Sequence, residues 1–212
     1  MFGFTLETLL GRAIGLVIGF TLHEWAHAWS AYRLGDNTAY YQGRLTLDPR
    51  AHIEPVGIML ALLAGFGWAK PVPVNPRAFY PNEKRGLVIV SLAGPVMNLL
   101  LAALFGVVVR FMLGIGLDAS FAFLYNIVAT IVIFNLALFL FNLLPFSPLD
   151  GYKIAVGTLP REYSNWLVQY ERETTLALML VLMAGIINPR LNILWLVLGP
   201  ILRFLFGMFT GV

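Results

Sequence analysis

The sequence contains no cysteine and few charged residues for its length of 212 residues. Without cysteine, neither a disulfide bond nor a metal site built on thiolates can form. Asp, Glu, Lys and Arg together make up 12% of the chain, whereas soluble domains carry about 25%. None of these four occurs in residues 119–149, a stretch longer than the ~20 apolar residues that cross a bilayer as a helix. These deficits indicate an integral, multi-pass membrane protein that lies in a lipid bilayer.

The charge that remains is weakly basic, with a net value of +3 at neutral pH. This excess fits basic loops beside a membrane and does not indicate a protein that binds nucleic acid. The first 20 residues are apolar, and no small-residue cleavage site separates them from the segment that follows. We therefore expect a retained first span and no signal peptide. Nothing in the composition indicates an oligomeric state.

The apolar segments predict an all-α polytopic fold with about five to six transmembrane helices. We expect one membrane domain over residues 1–212, made of a first helix (1–34), a β or re-entrant region (38–85), a middle helix (86–117), a helix with a following loop (119–152) and C-terminal helices (164–210). Within the second region, the alternation in RLTLD (44–48) predicts a small membrane-associated β-hairpin or sheet. The 13 apolar residues Val56 to Trp68 are short for a span and favour a re-entrant segment.

Lysine and arginine cluster in two regions, residues 33–85 and residues 153–161. The positive-inside rule places both regions on the cytoplasmic side of the membrane. Both can lie there only if Val56 to Trp68 enters the bilayer and returns to the same side. We therefore expect the N-terminus on the outer side.

The motif HEWAH places three ionisable side chains in the first apolar span. His23 and His27 are four residues apart, so both imidazoles lie on one helix face and can bind one metal ion. Glu24 lies beside that face, and H-E-x-x-H on a helix provides two zinc ligands and a general base. The alternative is a hydrogen-bonded polar cluster between helices. An ionisable group at the bilayer centre costs at least ~2.5–3.5 kcal/mol, so three within five residues favour the metal site.

A catalytic zinc site with two histidines needs a third protein ligand. His52 is the only other histidine, but its Pro- and Arg-rich surroundings favour an interfacial loop residue. Asp150 follows Pro145 and Pro148, which interrupt the helix, so its backbone must lie inside protein or a wet cavity. Asp150 could also be no more than a turn or a helix cap. Together with HEWAH, it is the better candidate for the third ligand.

With these motifs the chain resembles the site-2 protease family of intramembrane zinc metalloproteases, in its compact prokaryotic-type branch without a PDZ-like domain. The resemblance is carried by HEWAH (23–27), SLAGPVMN (91–98), NLLPFSPLDG (142–151), LDPRAHIEPVG (47–57) and GWAKPVPVNP (67–76). It implies one Zn²⁺ per chain, held by His23, His27 and Asp150, with Glu24 as the catalytic base. Glu54 departs from the pattern, because that branch more often has Asp after His-Ile.

Two asparagines are further site candidates. The resemblance implies that Asn142 lies near the bound substrate, and a structural hydrogen bond is the alternative role for this residue. Asn98 is four residues after Gly94, and a small residue and an amide on one face favour close helix packing over catalysis. A contact between Asn98 and the substrate is the alternative.

The resemblance implies an enzyme that hydrolyses peptide bonds within transmembrane segments of membrane protein substrates. Its role would be regulated intramembrane proteolysis or clean-up of membrane remnants. The site would open towards the cytoplasmic side of a prokaryotic cell membrane, and YQGRLTLD (41–48) and AKPVPVN (69–75) would pair with an unwound substrate. The alternatives are a catalytically silent scaffold and a metal transporter. The presence of all four key residues argues against the scaffold, and their concentration in two motifs argues against the transporter.

Overall fold

The computed structural model describes residues 5–64, 67–116 and 119–212. The α-helices among these residues are α1 Leu6–Arg33, α2 Thr38–Tyr41, α3 Pro49–His52, α4 Pro55–Ala64, α5 Glu83–Gly114, α6 Ala119–Asn142, α7 Asp150–Thr158, α8 Arg161–Gln169, α9 Glu171–Ile187 and α10 Ile193–Thr210. Short 3₁₀ turns occupy Pro76–Phe79 and Pro189–Leu191. Within the described ranges, four helices are long and apolar enough to cross a membrane: α1, α5, α6 and α10.

The prediction of five to six transmembrane helices is therefore wrong for the residues that the structure describes. One of the expected C-terminal helices (164–210) is α9, whose first turn carries Glu171 and Glu173. The remaining residues 174–187 span about 21 Å at 1.5 Å per residue, which is less than the ~30 Å hydrocarbon core. The main neighbours of α9 are α8, α10 and the turn Pro189–Leu191. It lies at the edge of the bundle.

The predicted β-hairpin or sheet is also wrong, because the described part of the chain contains no strand. Pro49 starts α3 directly after RLTLD, and the Asp48 side chain caps it by accepting from the Arg50 N–H. Pro71 and Pro73 have no N–H to donate to a ladder. A five-residue alternation without a pairing partner forms an irregular loop instead of a strand.

Residues 36–64 and 67–75 form one excursion along α1, and Asp36 binds both of its ends. The buried Asp36 carboxylate accepts from the N–H of Thr38 at 2.9 Å and from the N–H of Asn75 at 2.7 Å. Because one side chain binds both ends, the chain leaves and returns at the same end of α1.

The far end of this excursion lies deep along α1. Arg12 donates to the carbonyl of Leu62 near the end of α4, at 3.3 Å. Arg12 lies roughly 30 Å along α1 from Arg33 at a rise of 1.5 Å per residue. On the return, the Lys70 N–H donates to the His52 carbonyl at 2.8 Å. Residues 65 and 66 of the expected re-entrant segment Val56 to Trp68 lie outside the described residues. Its entry into the bilayer and the side of the membrane on which it starts stay predictions.

The central bundle consists of α1, α5 and α6, which pack against one another, with α10 against α5 and α6. Gly11, Gly15 and Gly19 form a stripe on α1 that faces α6. A Cβ on Gly11 would lie 2.6 Å from the Thr130 Cβ, and one on Gly19 would lie 2.9 Å from Leu138 Cδ1. Small residues at four-residue intervals allow helices to approach closely in a membrane. This approach brings α6 beside the turn of α1 that leads into HEWAH.

Candidate metal centre

His23, His27 and Asp150 bring three metal-binding atoms to one buried point. His23 Nε2 lies 3.0 Å from His27 Nε2, and Asp150 Oδ2 lies 3.1 Å from each of them. All three residues are buried, and they form a group that could hold a metal ion. In a tetrahedral zinc site with ~2.0–2.1 Å bonds, ligand atoms lie about 3.3 Å apart. The spacing and the N/O donors therefore fit zinc.

The far nitrogen of each imidazole has its own acceptor. The Nδ1–H of His27 donates to the main-chain carbonyl of Val90 at 2.7 Å. His23 Nδ1 lies 2.6 Å from the Oδ1 of Asn98. With protons on both Nδ1 atoms, two Nε2 lone pairs and one carboxylate oxygen face one another. A bound cation stabilises such an arrangement.

Gly94 on α5 lies against the point where the three metal-binding atoms converge. A Cβ at Gly94 would lie 2.6 Å from His23 Nε2 and closer still to His27 Nε2. Any side chain would displace the imidazoles from the positions at which they meet Asp150. Sequence reasoning noted Gly94 only as a packing residue, because nothing in AGP reveals which helix it faces.

Asp150 reaches the histidines because the chain breaks between α6 and α7. Pro145 and Pro148 lie in this break, and Asp150 is the first residue of α7. A Cβ on Gly151 would collide with the carbonyl of Leu143, so the glycine allows the loop to fold back on itself. Burial raises the pKa of Asp150, but the charge of protonated His27 and hydrogen bonds from both imidazoles lower it below its ordinary range.

Glu24 lies beside this group but is not one of its members. It is buried, and its Oε2 accepts a hydrogen bond from the backbone N–H of Val72 at 2.9 Å. Burial lowers the pKa of the neighbouring Arg44 guanidinium, and attraction to Glu24 raises it. Arg44 also donates to the carbonyls of Lys70 and Pro71. The Glu24 carboxylate thus interacts with the Arg44 cation and with the returning part of the excursion.

The other candidates lie elsewhere. His52 is buried and donates from Nε2 to the Thr46 carbonyl at 2.8 Å, outside the metal-capable group found among the described residues. Asn98 is fully buried behind His23. Asn142 is half-buried and donates to the Leu138 carbonyl of its own helix at 3.0 Å. Substrate contact by either asparagine stays a prediction.

The sequence is similar to proteins named as zinc metalloproteases. It is 48% identical over 150 residues to "Putative zinc metalloprotease YwhC" of Bacillus subtilis (strain 168), which covers 69% of this chain and 68% of that protein. The chain belongs to the site-2 protease family. A second member of the family, "Putative zinc metalloprotease Rip2" of Mycobacterium tuberculosis (strain H37Rv), is 31% identical over 82% of this chain and 67% of its own length.

A Rip2 from Mycolicibacterium smegmatis is 32% identical over 142 residues, or 65% of this chain and 53% of that protein. No family model and no solved structure matches the chain. Membership of the site-2 protease family, four helices able to cross a membrane and a His–His–Asp group able to hold a metal together support a membrane zinc metalloprotease.

Proposed function

We propose that this protein is an intramembrane zinc metalloprotease that hydrolyses peptide bonds within transmembrane segments of other membrane proteins. The proposal rests on one observation: the side chains of His23, His27 and Asp150 converge at a buried point, with Glu24 beside them. These ionisable groups lie among helices that are otherwise suited to lipid. Ionisable residues inside a membrane are rare and typically mark a functional site.

His23, His27 and Asp150 would hold one Zn²⁺ per chain through Nε2, Nε2 and Oδ2. Bound zinc polarises a carbonyl and lowers the pKa of a water ligand to about 7. Three protein ligands leave one position for water or substrate, as in catalytic zinc sites. Gly94 keeps the space between the imidazoles and α5 free of a side chain.

Glu24 moves the proton in this proposal. The oxygen of the attacking water bonds to the carbonyl carbon of the substrate, and Glu24 takes a proton from that water. Glu24 then gives the proton to the amide nitrogen as the C–N bond breaks, which releases a carboxylic acid and an amine. The N–H of Val72 holds the carboxylate in place for both transfers.

The substrate enters in an unwound form, because a helical peptide bond is hydrogen-bonded within its own helix. Residues 71–73 are poorly suited to pair with it as a strand, since Pro71 and Pro73 lack N–H groups and the N–H of Val72 binds Glu24. We place the substrate near Asn142 instead, at the end of α6 where the non-helical residues 143–149 begin. Signalling proteolysis and clean-up of membrane remnants both use this chemistry. The site opens to the cytoplasmic side in this proposal, as the basic loops indicate.

The test is cleavage of a membrane-embedded reporter peptide by the purified protein in liposomes, compared with its Glu24→Gln variant. A positioned acid–base group contributes about 10²–10⁴ in rate, so we expect cleavage to fall at least about a hundredfold while bound zinc is retained. A chelator should stop cleavage by the parent protein. Equal cleavage by parent and variant would refute the role of Glu24. Binding of the peptide without cleavage by either protein would favour the silent scaffold.

A further inference from the structure

We propose that Asn135 is a positioning residue for His23 and acts through Asn98. The inference rests on the proposed metal site. Asn98 Nδ2 lies 3.1 Å from the Asn135 Oδ1 and 3.1 Å from the Gly19 carbonyl, and Asn98 Oδ1 lies 2.6 Å from His23 Nδ1. Both asparagines have zero exposed surface. The result is one line of hydrogen bonds from α6 through α5 to the imidazole on α1.

Two main-chain carbonyls fix the direction of this line. The Nδ2 of Asn135 donates to the carbonyl of Ile131 at 3.0 Å, and a carbonyl only accepts. Asn135 must therefore turn its Oδ1 towards Asn98. Asn98 in turn must present its NH₂ group to that oxygen and to the Gly19 carbonyl, which leaves its Oδ1 facing His23.

The proton of neutral His23 must then be on Nδ1. An oxygen that only accepts lies 2.6 Å from that nitrogen, so Nδ1–H donates to it. The Nε2 lone pair is thereby directed at the point shared with His27 and Asp150. The other tautomer would place a hydrogen where the metal would bind. Asn135 thus acts on a ligand atom that it does not touch.

His23 depends on side chains for this alignment, whereas His27 does not. The partner of His27 is the main-chain carbonyl of Val90, which no substitution removes. The glycine stripe on α1 brings α6 close enough for Asn135 to join the line, since a Cβ at Gly19 would lie 3.0 Å from Asn135 Oδ1. Packing of α1 against α6 is thereby linked to the geometry of one metal ligand.

The experiment measures zinc affinity by competition with a chromogenic chelator, so its readout does not depend on cleavage. Outer partners of metal-binding histidines typically contribute 10–100-fold in metal affinity. We expect Asn98→Leu to weaken zinc binding by about 10–100-fold and Asn135→Leu by about tenfold. Thr130→Val is the matched control, because Thr130 is also buried on α6 beside α1 but its hydroxyl donates to the Asn126 carbonyl of its own helix. The control should keep the affinity of the parent.

The double variant Asn98→Leu/Asn135→Leu separates positioning from packing. If Asn135 acts only through Asn98, the double variant binds zinc no more weakly than Asn98→Leu alone. Full addition of the two losses, or an unchanged affinity in Asn135→Leu, would overturn the inference. The melting temperature of each zinc-free variant reports folding, and Asn135→Ala replaces Asn135→Leu if the latter does not fold. A parent protein that binds no zinc would overturn the metal site itself, which is a different result.

Discussion

The Glu24 carboxylate and the Val72 backbone N–H are joined by a 2.9 Å hydrogen bond between residues 48 positions apart. Val72 lies in the returning part of the excursion that Asp36 closes. Hydrogen bonds to charged groups contribute about 1.5–3 kcal/mol. The orientation of the proposed base therefore depends on residues 70–75 being in place as well as on the helix that carries it.

Replacing Val72 with proline removes the donor and tests this dependence. Val72→Pro should keep its zinc, because no metal ligand is touched, and should cleave a membrane-embedded reporter about 10–100-fold more slowly. Val72→Ala keeps the N–H and is the control, with cleavage close to that of the parent. Faster cleavage by Val72→Pro would show that residues 70–75 restrain Glu24 and do not position it.

A methyl group at Gly94 should damage the metal centre without removing a ligand. The Cβ in Gly94→Ala would overlap both imidazoles, so we expect zinc affinity to fall by at least about tenfold, the lower end of what outer partners contribute. Gly114→Ala is the control on the same helix, because a Cβ there has no atom within 4 Å. Metal content after gel filtration of both variants gives the comparison. Full zinc occupancy in Gly94→Ala would mean that the imidazoles bind metal in another position.

Replacing each candidate ligand in turn should show whether Asp150 or His52 is the third zinc ligand. We expect His23→Ala, His27→Ala and Asp150→Ala each to lose bound zinc, because each supplies one of three converging atoms. His52→Ala should keep zinc and lower the melting temperature, since it removes a buried hydrogen bond to Thr46. Metal analysis and thermal melts of the same preparations test both statements. Loss of zinc in His52→Ala alone would move the third ligand to His52.

Local pattern predicted the helices that carry the site. The first helix, expected over residues 1–34, is observed as Leu6–Arg33, and Gly35 has the positive φ of a helix end, +100°. The 3.6-residue period places His23 and His27 on one face, and two prolines indicated that the chain turns before Asp150. These features depend only on neighbours in sequence.

The contacts that complete the site could not be predicted in this way. Val72, Gly94 and Asn135 reach it from segments about 50 to 110 residues distant from HEWAH, and nothing local reveals which helix they face. The strand prediction failed for a related reason. Alternation in RLTLD predicts a strand only where another segment supplies N–H groups, and Pro71 and Pro73 remove them from the neighbouring segment.

The last prediction concerns the sides of the membrane. Asp36 binds both ends of the excursion, so Asn37 and Asn82 should lie on one side and Ile115, after α5 has crossed, on the other. The natural sequence has no cysteine, so Asn37→Cys, Asn82→Cys and Ile115→Cys each provide a single thiol at an exposed position. An impermeant maleimide added to sealed, right-side-out vesicles should label only Ile115→Cys, because the basic residues 33–85 favour the cytoplasmic side. Labelling of Asn37→Cys and Asn82→Cys from opposite sides would mean that residues 36–75 cross the bilayer, and labelling of both from outside would reverse the orientation.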